Sequence, residues 1–190
     1  QICLNNTHLV AVQQNGTTAN IYNISNSSMI CEISIEAMIF CAEIDENLLF
    51  LGGSDCMIYV LTLNDQKMHS KIAYHTSPII SFDYNRSLDI MASIDDHHNL
   101  FMSTIQNHKF IYSFRVPCNI KDNHFVKILN IGLIIISASK PSSSKDFKSS
   151  LFFYDLCGKL LKTIQLNYHI KCLKTLIDSH QKGYCFVSTS

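Results

Sequence analysis

The chain has 190 residues, 47% of them hydrophobic, enough to bury a sizeable core in one ordinary domain. Its 15 Lys and Arg balance its 15 Asp and Glu, so net charge gives no footing for a nucleic-acid or acidic-membrane partner. The eight cysteines stand singly, with no CxxC pair, which argues against a disulfide framework or a zinc finger and for reduced thiols in a cytoplasmic protein.

Helical periodicity is scarce. Short apolar runs broken by Asn, Asp, Gly and Ser recur from end to end, and that pattern predicts an all-β protein. The first unit, 1–34, is expected to lack its opening strand and to hold strands over 8–13, 19–24 and 29–34. Asn15-Gly16 supplies a hairpin turn, since both residues tolerate positive φ.

The second unit, 35–73, is the clearest. Strands are expected over 37–44, 48–53, 57–63 and 67–72, with turns at Ser54-Asp55 and Asn64-Asp65, a four-stranded antiparallel meander of propeller-blade size. The third, 74–115, predicts strands over 78–84, 88–94, 99–104 and 109–114. The fourth, 116–167, predicts strands over 125–129, 133–139, 151–156 and 159–166, with a polar Lys/Ser insert over 140–150 read as a surface loop. An incomplete fifth unit, 168–190, holds strands over 170–177 and 184–189. The third-strand landmarks Ile21, Ile58, Leu100 and Leu151 recur at close to a blade period, the last interval widened by the insert.

These units resemble WD-repeat propellers. Leu51-Gly52-Gly53-Ser54-Asp55-Cys56-Met57-Ile58-Tyr59-Val60-Leu61-Thr62 follows that pattern without a gap, with Leu61-Thr62 in place of Trp-Asp. Tyr22-Asn23 and Tyr154-Asp155 take the same place elsewhere, and the chain has no Trp. In the third unit His75, Ser93 and Asp95 match the hydrogen-bonded set that holds such blades, with Ser103 near the Trp position. The resemblance therefore implies a blade-stabilising His75. The segments 87–93, 100–105, 107–114 and 150–161 are similar to blades near the carboxyl end of BEACH-domain proteins of the neurobeachin type. The fold implied is a partial WD-repeat-like β-propeller, a piece of a longer polypeptide.

No residue pattern points to chemistry. The Asp95-Asp96-His97-His98-Asn99 run could offer a divalent metal carboxylates and imidazoles, but adjacent residues on one turn rarely converge on an ion, so a solvated β-turn is expected. No other His, Cys or Asp group is tied to that run by spacing. Gly52-Gly53 lacks a phosphate-loop context, no Gly-x-Ser-x-Gly elbow occurs, and the aromatics at strand spacing read as core. The expectation is thus no catalytic residue, no cofactor and no metal.

The sequons at Asn5, Asn15, Asn23, Asn26 and Asn85 fit an Asn/Ser-rich composition as well as they fit glycosylation. No apolar run is long enough to cross a bilayer. What the resemblance implies is a non-catalytic scaffold for vesicle trafficking or membrane protein sorting. It would bind protein or peptide partners through propeller loops, not nucleic acid, and be cytoplasmic or peripheral to endomembranes through its parent protein. A generic WD-repeat adaptor, such as a ubiquitin-ligase substrate receptor or a complex-assembly subunit, is the second reading; a secreted or enzymatic propeller is the third.

Overall fold

The computed structural model describes residues 2–13, 16–45, 47–65, 67–118, 124–139, 149–177 and 183–189, and among these residues it is built of strands and one 3₁₀ turn, Arg86–Leu88. Four antiparallel sheets of four strands are followed by one of two, and within every sheet the strands neighbour one another in chain order. The first sheet holds β1 (Ile2–Leu4), β2 (His8–Val12), β3 (Thr18–Asn23) and β4 (Met29–Ser34). The second holds β5 (Ile39–Asp45), β6 (Leu48–Gly53), β7 (Ile58–Thr62) and β8 (Met68–Ile72). The third holds β9 (Ile79–Asn85), β10 (Ile90–Asp95), β11 (Asn99–Thr104) and β12 (Phe110–Arg115). The fourth holds β13 (His124–Leu129), β14 (Leu133–Ser139), β15 (Ser149–Asp155) and β16 (Leu160–Leu166), and β17 (Ile170–Ile177) pairs with β18 (Gly183–Thr189). These serial meanders make the fold a partial, WD-repeat-like β-propeller.

One irregularity recurs in all four complete sheets. The ladder between third and fourth strands shifts register at Ile21/Tyr22, Val60/Leu61, Met102/Ser103 and Phe153/Tyr154. Each shift falls where a WD repeat carries its Trp. The following residue, Asn23, Thr62, Thr104 or Asp155, donates its backbone N–H to close the turn onto Ser28, Lys67, Lys109 or Lys159. Its side chain binds within the same turn: Asn23 Oδ1 accepts from Ser25 N at 2.8 Å, and Asp155 Oδ1 from both Cys157 N and Lys159 N at 2.9 Å. Thr104 Oγ1 accepts from Lys109 N at 2.9 Å, and Thr62 Oγ1 bonds Asp65. At Asn23, Thr104 and Asp155 the short polar side chain satisfies turn amides beside the bulge, while at Thr62 it binds the Asp65 carboxylate.

The chain divides into two compact units, Gln1–Ser81 and Phe82–Ser190, the division falling within β9. In the first, β1 and β2 pack against β5, and one apolar cluster joins Val10, Ala19 and Ile21 to Leu49, Leu51 and Tyr59. Each large aliphatic side chain fully buried there contributes roughly 1.5–3 kcal/mol. In the second, β10 packs against β13, β13 and β14 pack against β17, and Leu129, Ile135, Leu151, Ile170 and Leu173 form a core cluster. The landmark residues Ile21, Ile58, Leu100 and Leu151 all lie on third strands and all are buried.

Four expectations need correction. The first sheet has its opening strand: Ile2, Cys3 and Leu4 pair with Ala11, Val10 and Leu9, anchored by the buried Cys3 and too short to show periodicity. The hairpin expected between β2 and β3 is present, and a Cβ on Gly16 would sit 3.0 Å from the Gln13 carbonyl oxygen that accepts the Gly16 N–H. Asn15 lies outside the described residues. The turn after β9 is the 3₁₀ turn, capped by Asn85 Oδ1 on Leu88 N at 3.1 Å and ended by Asp89 at φ 52°. Residues 140–148 of the expected insert also lie outside the described residues, but Ser149 and Ser150 belong to β15. Ser149 is buried because its hydroxyl bonds Ser139 Oγ at 2.9 Å and accepts from Ile170 N at 3.2 Å.

The fourth correction concerns burial. Fourth strands are largely exposed, and each begins with apolar residues in solvent: Met29-Ile30, Met68, Phe110-Ile111 and Leu160-Leu161. Phe110, read as core from its spacing, is 42% exposed. An edge strand has a neighbour on one side only, so strand periodicity overstates its burial.

Candidate functional site

In the second unit, β9 and β13 are joined by a carboxylate. Asp83 Oδ1 pairs with Lys127 Nζ at 2.7 Å, and Asp83 Oδ2 accepts from Ile128 N at 2.7 Å. Both side chains are nearly buried, so the charges hold one another in place. Asn85, one pleat further along β9, bonds Asn130. Beside this pair opens a recess of about 400 Å³, lined by Asp83, Asn85, Arg86, Lys127, Asn130 and the exposed Lys174 of β17, among others. Three cations against one carboxylate give its wall an excess of two positive charges. Such a wall favours an anionic guest, and its amides and hydroxyls supply directional bonds.

The Asp95–Asn99 run forms the tight turn between β10 and β11. Asp95, fully buried, spends its carboxylate on the turn: Oδ1 accepts from His97 N at 3.1 Å and Asn99 N at 2.9 Å, and Oδ2 from Asn99 Nδ2 at 3.2 Å. His98 sits at φ 66°, donates its N–H to Asp95 O and receives Val116 N at its own carbonyl, both at 2.9 Å. The turn is therefore not simply solvated. It turns the His98 side chain inward, next to Cys118 and His124, and one ligand atom from each of the three lies within 4.8 Å of the others. No sequence spacing links these positions, and only their burial in strand-end turns could have drawn attention to them.

The other residues singled out in the sequence have plainer roles. His75, Ser93, Asp95 and Ser103 are all buried, which suits packing rather than access to a substrate. Gly52 and Gly53 are buried in β6, and a Cβ on Gly53 would lie 2.5 Å from Asp55 Oδ1 and 3.2 Å from Ala37 Cβ. That close approach is why glycine stands there. Asp55 in turn accepts from the Tyr59 hydroxyl at 2.5 Å; burial first, then this carboxylate, pushes the Tyr59 phenol up to about 12. The sequon asparagines Asn5, Asn23 and Asn26 accept from the N–H two residues on, so each Asn-x-Ser/Thr triplet serves as an Asx turn. No disulfide joins the seven described cysteines; Cys41 is buried, which pushes its thiol up, and Cys157 is exposed. No helix among the described residues is long and apolar enough to cross a membrane.

No family model matches the chain, and no curated protein matches it. Among solved structures, it is similar to hydrazine synthase of Kuenenia stuttgartiensis, with a TM-score of 0.78 at 11% identity over 99% of this chain and 54% of that one. The computationally designed protein Ika8 gives 0.72 at 12% identity, over 98% of this chain and 57% of that one. A chain of the mitotic checkpoint complex gives 0.70 at 13% identity, over 88% and 50%. The chain thus spans about half the length of the structures it matches. At such low identity what these likenesses establish is the fold, a β-propeller architecture, and nothing finer.

Proposed function

We propose that this chain is a non-catalytic protein-interaction scaffold that receives an acidic segment of a partner protein at the recess beside Asp83, Lys127 and Lys174. One observation carries the reading: an open polar recess with an excess of two positive charges, formed at the ends of β9, β13 and β17, in a chain of zero formal net charge. Long-range attraction of a nucleic acid has no source in that overall balance, whereas a short acidic peptide needs only the local charge. The architecture also favours it. Strands fix the walls while turn residues such as Arg86, Ser87 and Asn130 meet the guest.

The finer reading is a BEACH-type protein acting in vesicle trafficking or membrane protein sorting, cytoplasmic or peripheral to endomembranes. What supports it is the resemblance of 87–93, 100–105, 107–114 and 150–161 to blades of that family. A generic WD-repeat adaptor is favoured instead by the likeness to a chain of a multi-protein complex.

Quantitative affinity capture with the full chain and its Lys174→Glu variant tests the scaffold reading. Partners lost on charge reversal and enriched in acidic segments are expected; identical captured sets for the two proteins would overturn it. The finer reading fails if the reading frame upstream of residue 1 encodes no BEACH domain.

A further inference from the structure

We propose that His98, Cys118 and His124 bind a single Zn²⁺ ion that ties the β10–β11 turn to the connection between β12 and β13. The three residues come from three separately anchored pieces of the second unit. His98 is held in its turn by Asp95 and Val116; Cys118 follows β12 and donates its N–H to Val116 O at 2.8 Å; His124 opens β13 opposite Ala138 of β14. All three side chains are buried, and their ligand atoms already lie within 4.8 Å of one another. Zn–N bonds of about 2.0–2.1 Å and a Zn–S bond of about 2.3 Å place tetrahedral donors roughly 3.3–3.6 Å apart, so a closure of about 1 Å completes the site.

The surroundings are those of a ligand set. His124 Nδ1 lies 3.2 Å from the Ser137 carbonyl oxygen, which fixes the N–H on Nδ1 and makes Nε2 the nitrogen through which this ring would meet a metal. His98 Nδ1 is buried with no hydrogen-bond partner, a lone pair that a metal bond would satisfy. The rings meet edge to face, centroids 4.6 Å apart at 72°, so two imidazoles share one small space. Two imidazoles and one thiolate are a borderline-soft set that suits Zn²⁺ over Mg²⁺ or Ca²⁺, and three protein ligands leave a fourth position for water or an added ligand. The competing view is an edge-to-face histidine pair packed beside a thiol with no metal affinity.

The test uses the full chain, stripped with a chelator under reducing conditions and titrated with Co²⁺ as a spectroscopic stand-in, then with Zn²⁺. One equivalent of Co²⁺ is expected, with a thiolate charge-transfer band that Zn²⁺ abolishes and that Cys118→Ser removes. His98→Asn, which tolerates the left-handed backbone, should weaken Zn²⁺ binding by about tenfold or more. Thermal unfolding of the wild type should rise with Zn²⁺, and less so in either variant. Substoichiometric uptake by the wild type, or a band that survives Cys118→Ser, overturns the proposal. If the variants do not fold, X-ray absorption at the zinc edge of the wild type decides. Two imidazole nitrogens and one sulfur support the site; any other sulfur count sinks it.

Discussion

Asp83 is a carboxylate whose removal should cost this protein heavily. In the Asp83→Ala variant the Lys127 ammonium, almost wholly buried, loses its counter-charge, and the Ile128 N–H loses its acceptor. Breaking a buried pair by deleting one partner costs about 3–5 kcal/mol, and an orphaned buried N–H about 1–3 kcal/mol. Both losses share one side chain and do not add fully, so about 3–5 kcal/mol is expected. For a domain of this size that corresponds to a fall in Tm of roughly 6–20 °C.

Lys127→Met should cost less, because Asp83 keeps its bond from the backbone, and the double variant should be more stable than Asp83→Ala alone, since no buried ammonium remains. Urea unfolding of all four proteins at neutral pH closes a double-mutant cycle with a coupling of about 0.5–3 kcal/mol. A loss below about 1 kcal/mol in Asp83→Ala, the level of a solvated surface pair, would refute the reasoning. So would a double variant that is simply the sum of the two singles.

Two further outcomes follow from turn geometry and burial. Gly158 sits at φ +79°, and an added Cβ would stand 3.1 Å from Tyr112 Cε2 and 3.2 Å from Phe114 Cδ1, so Gly158→Ala should lose about 1–2 kcal/mol by urea unfolding, with Gly132→Ala, which meets only Leu156, as the milder control. The Tyr112 hydroxyl donates to Leu156 O at 2.7 Å, and burial first, then the charges of Cys157 and Asp155, push its phenol up to about 12 from an ordinary 10.0. The folded state thus favours the neutral phenol: this stabilisation is complete below about pH 10 and is lost as pH rises toward 12. Tyr112→Phe should lower stability at pH 8 by about 1 kcal/mol and flatten the alkaline decline; an unchanged decline would mean that other groups, such as Tyr59, govern it.

The repeat was legible because strands are encoded locally. Alternation, Asx residues and glycines sit next to the elements they shape, so β4, β6, β11, β14 and β17 emerge from the sequence with the ends they have in the structure. The recurring third-strand position was legible for the same reason, Ile21, Ile58, Leu100 and Leu151 each being an apolar residue that its neighbours require. Legibility stopped where partners are distant in sequence. Asp83 and Lys127 stand 44 residues apart with no motif to link them, and only the packing of β13 beside β9 makes them a buried pair. His98 read as part of a polar turn and Cys118 as one of eight single cysteines, and nothing tied His124 to either.

What the sequence determined by itself was the rhythm of the chain: short antiparallel strands, most of five to seven residues, and the turns between them. What only the tertiary structure decided was which side chains became buried, charged neighbours or possible metal ligands. The reason is physical. A strand's own amides are satisfied by residues a hairpin away, whereas desolvation, ion pairing and convergence of donor atoms depend on which sheet comes to lie against it.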